Sequence, residues 1–258
     1  MTRFWRRHQA LLSGLISFAL VLAMWQAVVD VGLVRAFFLS TPTRMSVEFM
    51  RQVNTGEVAD NLSVTLYEFA VSLGLAIAVD LGAGILASWS RTLEAVFEPF
   101  IWFTYSSPTI AFFPIFIAWL GLGTPSIIAI SFLFAVTPLY ANTLSGIKNA
   151  DADLTRMASS FGAGRGELFL KVALPGSVPI IVAGLRLAVG RALTGVVGAQ
   201  LFGATSGLGF SIAYYGQKLK TTEMMVSLVL VVICGVIFTQ ALSWLEARTD
   251  SWRTGPGR

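Results

Sequence analysis

The chain has 258 residues, 55% of them hydrophobic and 12% charged, too apolar for a soluble domain and too weakly charged for a disordered one. Six membrane spans of about 20 apolar residues would use roughly 120 of them, most of the apolar stock, which leaves too few to build the core of a separate soluble catalytic domain. A single cysteine and a single histidine exclude a disulfide framework and a Cys/His zinc site, and a net charge of +4 is small enough that its placement matters more than its size.

Uninterrupted apolar runs predict spans at 11–31, 62–88, 100–120, 125–147, 178–203 and 224–245. Arg3, Arg6 and Arg7 precede the first run, but it is longer than the roughly 7–15 apolar residues of a signal peptide and no clean cleavage site follows, so it reads as a retained helix. No linker tract or short-period repeat divides the chain, so residues 1–258 are expected to form one all-α polytopic domain. With the N-terminus inside, eleven basic residues fall on the cytoplasmic side (Arg3, Arg6, Arg7, Arg91, Lys148, Arg156, Arg165, Lys171, Arg248, Arg253, Arg258) and five outside (Arg35, Arg44, Arg51, Lys218, Lys220). That asymmetry predicts N-in and C-in. Between the first two spans, Val47, Met50 and Val53, with Phe49, give 46–53 a partly amphipathic pattern, expected as a short tethering helix outside.

The inner loop at 148–177 is the most informative stretch. Asp151 and Asp153 can charge-stabilise the start of a helix through Leu154, Met157 and Ala158, which Gly162 can end in a left-handed conformation. A second helix is expected over 166–172, with Leu168, Phe169 and Val172 on one side and Pro175 as its stop. Two short helices at a bend would form a knob on the cytoplasmic side, although an ordinary loop with helical turns is an equal reading.

Arg156-Met157-Ala158, then Gly162, then Val172-Ala173-Leu174-Pro175, has the spacing of the cytoplasmic "EAA" loop in permease subunits of binding-protein-dependent ABC importers. Phe161-Gly162-Ala163 is similar to that family's "LGA", and the head departs from it, with Arg156-Met157 where Glu-Ala is usual. Pro108-Thr109-Ile110-Ala111-Phe112-Phe113-Pro114 and Gly203-Ala204-Thr205-Ser206-Gly207-Leu208-Gly209 resemble the third span and outer turn of the alkanesulfonate, taurine and nitrate branch. Gln200 stands where many relatives carry Glu. The resemblance implies a type I importer permease of MetI-like fold with six transmembrane helices, multi-pass in a bacterial cytoplasmic (inner) membrane. It also implies a second permease subunit (a second copy of this chain), a cytoplasmic ABC ATPase dimer docked on the loop through Asp151, Asp153, Leu154, Arg156, Met157, Ala158, Gly162, Val172, Leu174 and Pro175, and an extracytoplasmic substrate-binding protein. ATP-Mg is expected on the partner ATPase, with no cofactor on this chain. In agreement, no Gly-x-x-x-x-Gly-Lys-Ser/Thr phosphate loop occurs, no His/acid/nucleophile set or metal-ligand cluster suggests an enzyme, and no nucleic-acid partner is expected.

Gly184, Ala188 and Ala192, with Gly195, Gly198 and Ala199, give the fifth span a small-residue face suited to close helix packing. On the same span Thr194, Gly195 and Gln200 are candidates to meet a passing solute, and Pro108 and Pro114 can free carbonyls that shape the wall of the pathway. Asp80 and Arg186 lie at similar depth, about 12 Å from the cytoplasmic ends of their spans, and are expected to pair, with Arg191 as the other possible cation. The alternative function is a secondary transporter or channel that uses Glu68 and Asp80 as intramembrane acids.

Overall fold

A computed structural model of the chain describes residues 2–149 and 152–249. Among them run eleven α-helices: α1 (Thr2–Asp30), α2 (Pro42–Asn54), α3 (Glu57–Trp89), α4 (Arg91–Ser106), α5 (Phe113–Leu120), α6 (Thr124–Lys148), α7 (Ala152–Ser160), α8 (Arg165–Leu168), α9 (Leu174–Gly203), α10 (Leu208–Gln217) and α11 (Thr221–Thr249). α1, α3, α6, α9 and α11 are long and apolar enough to cross a membrane, and α4 with the following 3-10 turn and α5 forms a further pair bent by 101°.

The span expected over 100–120 is therefore not one continuous helix. α4 ends at Ser106, Pro108 adopts φ −66° and ψ 91°, and a 3-10 turn over Thr109–Phe112 leads into α5 with Pro114 in its first turn. Proline cannot donate a backbone hydrogen bond and biases the residue before it away from helix, so the chain turns at Ser107-Pro108 instead of running through.

α3, α6 and α9 form the centre of the bundle. Their facing residues are small or β-branched: Ala76 on α3, Ile127, Ile130 and Ala135 on α6, and Ala188, Ala192, Val196 and Ala199 on α9, all fully buried. Small side chains let helix backbones approach closely, which is how helices associate where lipid is as apolar as the core. A Cβ added at Gly195 would lie 2.9 Å from Ser131 Cα, and one at Gly184 would lie 2.5 Å from Asn142 Cβ, so α6 and α9 are in contact along much of their length. α11 is attached through the stacking of Phe238 on Phe69, with ring centroids 4.5 Å apart. α1 is peripheral and exposes Leu12, Ile16, Leu20 and Met24, as a lipid-facing helix does.

The ends of the bundle sort into two groups. At one end, Thr41 caps α2 by accepting from Arg44 N at 3.3 Å, Ser40 hydrogen-bonds Thr222 at 2.8 Å, and Gly123 N donates to Gly203 O at 3.0 Å. At the other, Lys148 pairs with Glu94, and the Trp89 and Phe169 rings meet edge to face at 4.9 Å. The segment between the first two predicted spans, which holds 46–53, and the loop at 148–177 therefore lie at opposite ends. Helix α2 starts four residues before the predicted 46–53 because Thr41-Pro42 is a strong start signal, an N-cap followed by proline at the first helical position.

Candidate functional site

At the end that holds Lys148, α7 carries the predicted first helix of the loop. It stops as expected, with Gly162 at φ +85°, Gly162 N donating to Ser159 O at 3.0 Å and Ala163 N to Ala158 O at 3.1 Å, the paired bonds of a Schellman motif. The turn leaves an apolar ridge outside: Leu154 is 47% exposed, Met157 55% and Phe161 87%. Asp153 and Arg156 are exposed on the same short helix, while Ala158 is half-buried. Asp151 lies outside the described residues.

The second half of the loop differs from expectation. α8 is four residues long, its Glu167 side chain accepts from Gly164 N at 3.3 Å and pairs with Lys171 at 2.8 Å, and a π-helical turn over Phe169–Ala173 continues directly into α9. Pro175 is thus the second residue of α9 and stops nothing. The widened turn rearranges the hydrogen bonds around the position where proline brings no N–H, and the helix runs on for 39 residues from Arg165 to Gly203. Val172 and Leu174 are half-buried along this run and Pro175 is exposed.

At the opposite end a second constellation is fully buried. Asn61, Thr65, Glu68 and Ser72 recur on α3 at helical spacing, and Thr65, Glu68 and Ser72 are each at most 1% exposed. Gln200 of α9 reaches across to this face. Its amide nitrogen donates to Glu68 Oε2 at 2.7 Å, and its amide oxygen accepts from Thr65 Oγ1 at 3.2 Å and from Gly209 N at 2.9 Å. Thr65 in turn accepts from Leu208 N at 2.9 Å, and Asn61 Oδ1 from Gly207 N at 2.8 Å. The turn between α9 and α10 is therefore held by its backbone N–H groups. Gly207 has φ +107°, and a Cβ there would lie 2.4 Å from Gln200 Nε2, so both conformation and space require glycine. Helix α10 itself was hidden in the sequence, because its residues directly follow the Gly-rich turn.

Towards the tip of the same end, the phenol of Tyr215 donates to Glu57, and Arg51 donates from Nε to Glu48 Oε2 at 2.8 Å while lying 3.9 Å from Glu57. The Arg51 bond holds the Glu48 carboxyl below its usual range, and burial followed by Glu57 pushes the Tyr215 phenol up.

The predicted pathway residues separate. Pro108, Pro114 and Thr194 are exposed, and Thr194 Oγ1 donates to Gly190 O at 2.9 Å. Gly195 and Gln200, expected at open positions, are buried, the first against Ser131 and the second in the network above. The expected Asp80–Arg186 pair is replaced by another contact: Asp80 accepts from Thr143 of α6 at 2.6 Å. Asp80 points at α6, and Gly84, one turn further along α3, makes room for its carboxylate; a Cβ there would lie 2.6 Å from Asp80 Oδ1. Two features escaped the sequence reading. Phe161 is the most exposed side chain of the ridge, and the polar row 61, 65, 68, 72 was findable as four polar residues at helical spacing in one span. Among the described residues there is no group of acidic, histidine or cysteine side chains that could hold a metal ion.

Comparison with known proteins places these features in context. The family model for "binding-protein-dependent transport system inner membrane component" matches residues 70–251. The chain is 31% identical over 248 residues, 96% of its length and 90% of the relative's, to a protein of Bacillus subtilis named as an aliphatic sulfonates transport permease, SsuC. It is 27% identical over 239 residues to the taurine transport system permease protein TauC of Escherichia coli, covering 91% of this chain and 87% of that one. Among solved structures, a chain of the inward-facing MetNI methionine ABC transporter superposes with a TM-score of 0.64 at 19% identity, covering 77% of this chain and 98% of that one.

Proposed function

Because this chain belongs to the family of binding-protein-dependent transport system inner membrane components, the ABC importer permeases, we infer that it forms the membrane pathway of an ATP-driven importer for a small sulfonate-type anion. The substrate class comes from the relatives' names: proteins similar over nearly the whole chain are named for aliphatic sulfonates and taurine. The observation that carries the coupling role is the ridge of Leu154, Met157 and Phe161, three large apolar side chains left outside the bundle on a helix fixed by a Schellman turn. Interface cores favour apolar anchors and exclude charge, so the ridge supplies the core of an ATPase contact and Arg156 its rim. An ABC ATPase dimer binds there and holds the ATP-Mg, this chain binding no cofactor. A second copy of the chain completes the pathway, and a binding protein delivers solute at the end that carries α2 and α10. The chain lies in a bacterial cytoplasmic membrane with both termini inside. Secondary transport through Glu68 is disfavoured by Gln200, whose amide holds that carboxylate in a structural network.

The test is reconstitution with the cognate ATPase and binding protein. Hydrolysis stimulated by sulfonate-loaded binding protein supports the assignment, and hydrolysis indifferent to the loaded binding protein contradicts it.

A further inference from the structure

Arg191 lies 17 residues after the start of α9 and 12 before its end, about 25 Å and 18 Å along the helix axis, and so near the middle of the span. It is exposed, and among the described residues it makes no ion pair and no hydrogen bond. An unpaired guanidinium at that depth is tolerated where it faces a wet cavity or the inside of an assembly, not lipid. Arg191 borders a cleft of about 210 Å³ at the bent third span, where Leu187 forms part of an apolar wall and Thr104, Tyr105, Thr109 and Thr137 supply hydroxyls. No carboxylate lines it.

The hydroxyls differ in what they can offer. Thr104 and Thr137 donate within their own helices to Phe100 O at 2.8 Å and Leu133 O at 3.0 Å. Thr109 makes a long contact of 3.4 Å to Thr104 O and can turn its proton elsewhere, and Tyr105, 61% exposed, has no protein partner for its hydroxyl among the described residues. One fixed positive charge and two available O–H donors, with no competing negative charge, match the oxygens of a sulfonate or similar oxyanion. The break at Pro108 is what turns Thr109 toward α6 and α9.

We propose that Arg191, with the hydroxyls of Tyr105 and Thr109, is an oxyanion contact point midway through the translocation pathway, holding the head group of a small organic anion during its passage. The assignment rests on the reading of this chain as an importer subunit for such anions. It is tested directly by binding, with the full chain in phosphatidylcholine nanodiscs and trifluoromethanesulfonate as a fluorine-NMR probe. The wild type should broaden the probe line, and added ethanesulfonate should relieve the broadening. Arg191→Gln should weaken binding about tenfold or more, while Arg191→Lys keeps most of it and Tyr105→Phe with Thr109→Val gives a smaller loss. Should Arg191→Gln fail to fold, as judged by its thermal unfolding, the hydroxyl variants carry the test. Equal broadening by wild type and Arg191→Gln, or no loss in the hydroxyl double variant, overturns the site. Displacement of the probe by phosphatidylglycerol but not by ethanesulfonate makes the occupant a lipid head group and overturns the pathway role. If the reconstituted importer carries no sulfonate while probe binding still depends on Arg191, the functional reading fails and the binding site stands.

Discussion

Close packing in the centre of the bundle turns on single hydrogen atoms. Gly195 and Gly198 are one turn apart on α9, yet a Cβ at the first would lie 2.9 Å from the Ser131 backbone and at the second 3.7 Å from the flexible end of Ile110. Gly195→Ala should therefore lower stability by about 1–3 kcal/mol through overpacking, whereas Gly198→Ala should be near neutral or stabilising, as thermal unfolding in detergent will register. Gln200 is a second position where one side chain decides several bonds. Gln200→Leu keeps the volume but leaves Glu68 and the Gly209 N–H without their amide partner. With each stranded group costing about 1–3 kcal/mol, this variant should unfold at a clearly lower temperature than Thr194→Val, whose hydroxyl serves only its own helix. Equal melting of the two would show that the network contributes nothing to stability.

The element on which the proposed coupling role rests is α7 with its turn. Gly162 at φ +85° closes the Schellman motif, and a β-branched side chain resists that conformation. Gly162→Val should cut co-purification of the ATPase at least several-fold while leaving the spanning bundle folded, and Met157→Ser with Phe161→Ser should do so without disturbing the turn. Retention of the ATPase by both would remove this ridge from the interface. The helix α7, its glycine stop and the spans were legible because periodicity, capping residues and apolar length are local signals. What was not legible depended on direction. Hydropathy cannot report that the third span turns by 101° at Ser107-Pro108, nor can depth along α3 reveal which neighbour Asp80 faces. Pro175 read as a stop because its local effect is unfavourable, and only the π-helical turn before it shows how the helix absorbs the proline. Gln200, noted as a departure and as a pathway candidate, needed the folded turn at Gly207 and Gly209 before its structural role was visible.

On the scale of the whole molecule, two distinct ends are separated by the length of the spanning helices. The buried network of Glu68 and Gln200 and the helices α2 and α10 occupy one end, and the α7 ridge the other, with the Arg191 cleft between them. The asymmetry of basic residues predicts that the ridge end faces the cytoplasm. In a Cys234→Ala background, Gly164→Cys should react with an impermeant maleimide only in inverted vesicles, and Val47→Cys only in intact cells or spheroplasts; the reverse pattern would invert the assignment. The most direct measurement is uptake of radiolabelled taurine or ethanesulfonate into proteoliposomes that contain this chain, its ATPase and its binding protein. The account predicts accumulation that requires ATP and the loaded binding protein and is lost in Gly162→Val; accumulation by the chain alone, driven by an ion gradient without ATP, would contradict it.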